Sequence, residues 1–158
     1  PKRVENFIEM ISKIKNRHYD IVAATSNDEC VKKSDIVCTC TTSSSPVFNG
    51  ESVQEGTHIN AIGSFTSFMQ EIDEVTVKKA NKIVTEHIEG LWEAAGDIII
   101  PFENGLVDKS IITGTIGEAV VGKIKLREND QEITLNESVG SGVLDIGLAI
   151  HLYKLINN

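Results

Sequence analysis

Aromatic side chains make up only 5% of this sequence, and cysteine and proline occur three times each. No apolar run approaches the ~18 residues that a membrane-spanning helix needs. Each scarcity excludes something. Three cysteines without a secretion signal do not make a disulfide framework; they predict free thiols in a reducing compartment, the cytoplasm. The chain opens Pro1, Lys2, Arg3 and continues through Glu5 and Glu9, which is not an apolar leader. Basic residues are also in the minority: 15 Lys and Arg stand against 23 Asp and Glu, a net charge of -8. They are scattered apart from the pairs 32–33 and 78–79, so neither nucleic acid nor an anionic membrane is expected as a partner. Against these scarcities, 41% hydrophobic and 24% charged residues are the balance of a folded domain, and 158 residues suffice to bury a core.

Cys38 and Cys40 form a C-x-C pair, but a metal site needs two more soft ligands, and His18, His58, His87 and His151 fall at no metal-ligand spacing. No metal is expected. On a strand both thiols share a face, and they read as small buried strand residues.

What the chain has in quantity is alternation. Val4, Phe7, Ile8, Ile11 and Ile14 recur at helical spacing, predicting an amphipathic helix over 1–15. Strands are predicted at 19–25, 35–41, 58–62, 82–86 and 132–135. Helices are predicted after Ser26 or Asn27 and at 74–80 (capped by Asp73), 88–95, 116–121 and 139–156. The stretch 97–114, broken by Pro101 and two glycines, reads as irregular. Strands alternating with helices predict βαβ units and a parallel sheet, the α/β class. In such a sheet, ligands bind outside the carboxyl ends of the strands. That puts two Gly-, Ser- and Thr-rich loops, 39–45 and 63–68, at the functional edge.

Six collinear stretches carry a resemblance. Asp35-Ile-Val-Cys-Thr-Cys-Thr-Thr-Ser looks like a strand and Thr-rich cofactor loop, and Gly56-Thr-His-Ile-Asn-Ala-Ile-Gly-Ser like a G-x-H-x-N-A-hydrophobic-G segment. Gln70-Glu-Ile-Asp73, Gly114-Thr-Ile-Gly-Glu118 and Gly122-Lys123 follow, then Ile133-Thr-Leu135 and Ser138-Val-Gly140 with Asp145. Together they resemble the ornithine cyclodeaminase/mu-crystallin family of NAD(P)-dependent proteins.

The resemblance implies a Rossmann-type parallel sheet flanked by helices, with a long C-terminal helix. No G-x-G-x-x-G/A fingerprint occurs in the chain, so it resembles the C-terminal part of a family member, lacking the first β-α-β unit. The implied division is a partial nucleotide-binding domain over about 1–122 and a C-terminal strand and helix over about 130–156 that return toward an N-terminal domain. By the same resemblance, Thr39, Cys40, Thr41, Ile62, Gly63, Ser64 and Ser138 contact NAD or NADP, and Val139 and Phe65 lie on the substrate side. The implied substrate is a small amino or imino acid, and the implied assembly of a full-length member is a homodimer.

Phe65 stands where the ornithine-cyclising members carry Asp, and phenylalanine neither transfers protons nor pairs with an ammonium group. No catalytic residue is therefore assigned. The expected activity of the full-length protein is hydride transfer at Cα, as in ketimine reductases and amino-acid dehydrogenases, or cyclodeamination. This chain alone is expected to be inactive. A non-catalytic small-ligand and NADPH-binding role is the alternative, with Phe65 and Met69 as an apolar floor; an inactive fragment is another. Glu71 and Asp73 read either as helix caps or as an acid/base pair, His58 as structural or as a proton shuttle, and Asp145 as a helix-start anchor or a cofactor contact.

Overall fold

The computed structural model describes residues 2–14 and 20–157. Five short strands, β1 (Ile36–Thr39), β2 (His58–Ala61), β3 (Lys82–Thr85), β4 (Gly114–Thr115) and β5 (Thr134–Glu137), form one sheet in the order β1-β2-β5-β3-β4, every pair parallel. Parallel neighbours need long crossovers, which here run through helices. The helices are α1 (Lys2–Ser12), α2 (Asn27–Lys32), α3 (Glu74–Lys79), α4 (Ile88–Ala94), α5 (Gly96–Glu103), α6 (Ile116–Val120) and α7 (Gly142–Asn157). The fold is α/β: a Rossmann-type parallel sheet flanked by helices, with a long C-terminal helix.

One face of the sheet is covered. Val37, Ile59, Leu135 and Ile83 share a register row, and Thr39, Ala61, Glu137 and Thr85 share the row two residues on. All are buried. α2, α3, α4 and α5 bring Val31, Val77, Leu91 and Ile98 into the same apolar cluster. The caps are local: Ser26 accepts from the Glu29 N–H, Asp73 from the Thr76 N–H, and Thr115 with Glu118 closes a capping box on α6.

The opposite face is open. Ile36 is 64% exposed there, and Asn136 donates to Asn60 at 3.2 Å while Asn60 donates to the Cys38 sulfur at 3.8 Å. Cys38 and Cys40 are exposed, not buried as the sequence suggested, because Cys38 lies on this open face and Cys40 lies past the strand end.

Other boundaries also differ. Residues 20–25 form no strand, and the Thr25 N–H donates instead to Glu29 Oε2 at 2.8 Å; Tyr19 falls outside the described residues. The stretch expected to be irregular contains α5. Pro101 sits inside it and removes one backbone bond, but Ile98, Ile99 and Pro101 are buried, so packing outweighs the local penalty. β5 starts two residues later than predicted, because Asn81 accepts the Ile133 N–H and its polar half, Asn136-Glu137, hid it from an apolar pattern. This strand lies in the middle of the sheet, paired on both sides. α7 begins at Gly142, three residues after the predicted start, since Gly140 turns the chain with φ +83°.

α1 and α7 contribute no buried residue. α7 is apolar around its circumference, with Leu144, Leu148, Leu152 and Leu155 between 48% and 64% exposed. None of the described helices is long and apolar enough to cross a membrane. Truncating Leu135 to Ala is expected to lower stability by about 2–5 kcal/mol in urea unfolding, whereas Leu148→Ala on α7 should change it by no more than ~0.5 kcal/mol.

Candidate functional site

The carboxyl ends of β1, β2 and β5 are adjacent, so the segments leaving them converge: Cys40-Thr41, Ile62-Gly63-Ser64 and Ser138-Val139. Backbone bonds extend the ladder past the strands, from Ile62 N–H to Thr39 O at 3.0 Å and from Ser138 N–H to Ala61 O at 2.9 Å. The residues that the resemblance assigns to cofactor and substrate contacts thus lie at one edge of the sheet.

A carboxylate fixes the spacing of the first two loops. Glu71, fully buried, accepts the backbone N–H of Thr41 and that of Gly63, the latter at 2.8 Å. Its own N–H and that of Ile72 donate to Asp97 Oδ1 at 2.6 and 2.9 Å. Two glycines make room. A Cβ on Gly63 would meet Thr41 O and lie 2.5 Å from Glu71 Oε1; one on Gly96 would strike Met69 O and lie 2.9 Å from Thr66 O. Glu71 is therefore neither a helix cap nor half of an acid/base pair. Asp73 alone caps α3, and it also accepts the Gly50 N–H at 2.8 Å.

The side chains at this edge divide into committed and available. Ser64 is fully buried and donates to Met69 O at 3.0 Å; Ser138 donates to Glu86 Oε1 at 3.0 Å. Thr39 faces the covered side, its hydroxyl without a partner. Cys40 and Thr41 are exposed, and Val139 packs against the core. Ile62, Phe65 and Phe68 are 47%, 55% and 70% exposed and form an apolar rim. Met69 is buried under the loop, which removes it from any ligand-facing floor.

His58 lies elsewhere. It starts β2 on the open face, its Nδ1 2.7 Å from Thr134 Oγ1, and helps line a hollow of about 450 Å³ with Ile36, Lys82 and Arg127 at the amino ends of the strands. That hollow is remote from the converging loops, at the opposite end of the strands. Glu118 is spent on its capping box, and Asp145 sits exposed in the first turn of α7.

Sequence reasoning missed the acids beneath the loops. Burial pushes Asp97 up to about 6, against the pull of the Ile72 and Glu71 N–H groups and with added repulsion from the Glu71 charge. Burial also drives Glu137 well above the ordinary carboxylate range, helped by Asp97, Glu71 and Glu86. An acid inside the apolar run Gly96-Asp-Ile-Ile-Ile was the available signal. A carboxyl raised in the folded state stabilises most below its unfolded pKa, and that contribution is lost as pH rises through the folded value. Stability is expected to fall between about pH 4 and pH 6 through Asp97. Asp97→Asn, which keeps the accepting oxygen, should flatten that limb in thermal melts and be no less stable than wild type at pH 7.

Residues 1–158 match the model of the ornithine cyclodeaminase/mu-crystallin family. The delta(1)-pyrroline-2-carboxylate reductase of Bacillus cereus is 41% identical over 127 residues, covering 80% of this chain and 39% of that protein. A structure of Thermococcus litoralis delta(1)-pyrroline-2-carboxylate reductase in complex with NADH and L-proline superposes with a TM-score of 0.83 at 41% identity, over 89% of this chain and 42% of that one. An archaeal alanine dehydrogenase dimer with bound NAD gives a TM-score of 0.83 at 33% identity, over 97% and 46%. The chain spans about two fifths of the length of the curated relatives it matches. With the converging loops and the parallel sheet in place, the match along its whole length makes this chain a member of the ornithine cyclodeaminase/mu-crystallin family.

Proposed function

We propose that this chain forms the nicotinamide side of an NAD(P)-dependent protein that transfers hydride at the Cα of a small amino or imino acid. The observation that carries the reading is the pair of bracketed loops, 40–41 and 62–65, held at the carboxyl edge by one buried carboxylate with an apolar rim beside them. The residues present fit the nicotinamide end of the cofactor. Gly63 has no room for a side chain and offers bare backbone, Thr41 and Cys40 are exposed, and Ile62 and Phe65 present apolar surface to a flat ring. When bound, the nicotinamide accepts or delivers the hydride. The chain's own part is to hold and orient that ring and to keep water from it with Ile62, Phe65 and Phe68. Ser64 and Ser138 act through backbone or position, since their hydroxyls are engaged internally.

Phe65 favours imine reduction and amino-acid oxidation over cyclodeamination, because it supplies no proton and no counter-charge for an ammonium group. Similarity to pyrroline-2-carboxylate reductases and to alanine dehydrogenase supports the same preference. The complete protein is then a dimer acting on a cyclic or small imino acid. With no G-x-G-x-x-G/A fingerprint in its 158 residues, the chain by itself binds the cofactor weakly and turns over no substrate.

Titrating nicotinamide mononucleotide into isotopically labelled chain tests this. Amide shift changes are expected at Thr39 to Thr41, Ile62 to Phe65, and Ser138 to Val139. Changes confined to His58, Lys82 and Arg127, or none at millimolar ligand, would overturn the reading.

A further inference from the structure

Glu71, Asp97 and Glu137 are fully buried together at the carboxyl end of the sheet, and among the described residues no lysine, arginine or histidine bonds to any of them. Their donors differ. Glu71 accepts two backbone N–H groups, from Thr41 and Gly63. Asp97 Oδ1 accepts two, from Glu71 and Ile72. Glu137 accepts none at either oxygen. A carboxylate withdrawn from water keeps its charge only where donors replace the lost hydration. Glu71 and the Oδ1 of Asp97 have such donors; Asp97 Oδ2 and both Glu137 oxygens have none. The charged groups acting on Glu137 are all acidic: Asp97 from α5, Glu71 from the segment before α3 and Glu86 just after β3. A resident cation does not resolve the cluster, since among the described residues no three acidic, histidine or cysteine side chains are arranged to hold a metal ion.

We propose that Glu137 is a positioning residue whose carboxyl must stay neutral for Glu71 to keep its grip on the Thr41 and Gly63 amides, so that the two loops loosen when Glu137 loses its proton. Glu137 touches neither loop ligand directly; it acts through Glu71. A second charge at the end of β5 raises the cost of the charge on Glu71. A charge on Glu137 pushes the Glu71 carboxylate away, which weakens it as an acceptor of the two N–H bonds. High pH therefore opens the site and lower pH sets it, in keeping with burial and the three acids holding the Glu137 carboxyl well above its ordinary range. The consequence for the nicotinamide rests on the function proposed above; the coupling between Glu137 and the loops does not.

The test is NMR on the labelled 158-residue chain from about pH 5.5 to pH 9, reading the Glu137 carboxyl carbon and amide exchange corrected for its intrinsic rate. In wild type the Glu137 carbon should report an acid, not a carboxylate, at pH 7. Protection at Thr41 and Gly63 should fall about ten-fold as Glu137 titrates, while Ile59 holds its own. Glu137→Gln, neutral at all pH, should keep protection at both loop amides flat. A carboxylate signal at pH 7, loop protection that does not follow the Glu137 titration, or the same pH dependence in the Gln variant would each overturn the proposal. Should Glu137→Gln fail to fold, the two wild-type readouts decide alone. No nucleotide enters the experiment, so failure of nicotinamide mononucleotide to bind would remove the functional reading and leave this inference standing.

Discussion

The site is organised by the Glu71 carboxylate. Thr41 and Gly63 follow different strands, and neither loop has a helix of its own to anchor it; one side chain holds both by their backbone N–H groups. Asp97 holds Glu71 in turn, through the backbone, at the start of α5. Gly63 and Gly96 leave the space in which these contacts form, and a methyl group at either would displace a carbonyl oxygen. Remove the carboxylate and the Thr41 and Gly63 N–H groups lose their common acceptor, and with it the tie between the two loops.

That arrangement carries an electrostatic cost that an apolar core would avoid. Three fully buried acids at one end of a sheet repel each other in a medium that screens poorly. The rows nearer the middle of the sheet, Val37, Ile59, Leu135 and Ile83, show the alternative the same fold uses where stability alone decides. Groups with strongly shifted titration collect where geometry must be held for a ligand, and here they lie directly beneath the converging loops.

Much of this was legible in the sequence. Short apolar runs separated by helical segments marked β1, β2 and β3, and Asp73, with Ser26 or Asn27, announced two helices as capping residues, whereas the Thr115 cap emerged only in the structure. The Ser- and Thr-rich loops at the carboxyl edge followed from the parallel sheet. What stayed hidden was tertiary. α5 forms across Pro101 because its apolar residues are buried, which no local propensity records. β5 ends in Asn136-Glu137, polar by composition yet central by position, so the acid that matters there looked like a loop residue. Glu71 was visible as a carboxylate near a helix start, but its partners at Thr41 and Gly63 are set by the sheet order and not by sequence spacing.

The proposed function rests on the same geometry: two loops bracketed by one buried carboxylate, with Ile62, Phe65 and Phe68 exposed beside them. The most direct check is the affinity of nicotinamide mononucleotide for wild type and for Glu71→Gln, measured by NMR titration under conditions where both are folded. The account predicts binding weakened about ten-fold in the variant, equivalent to about 1.4 kcal/mol, because the loops lose their common anchor. Equal affinity in the two proteins would contradict it.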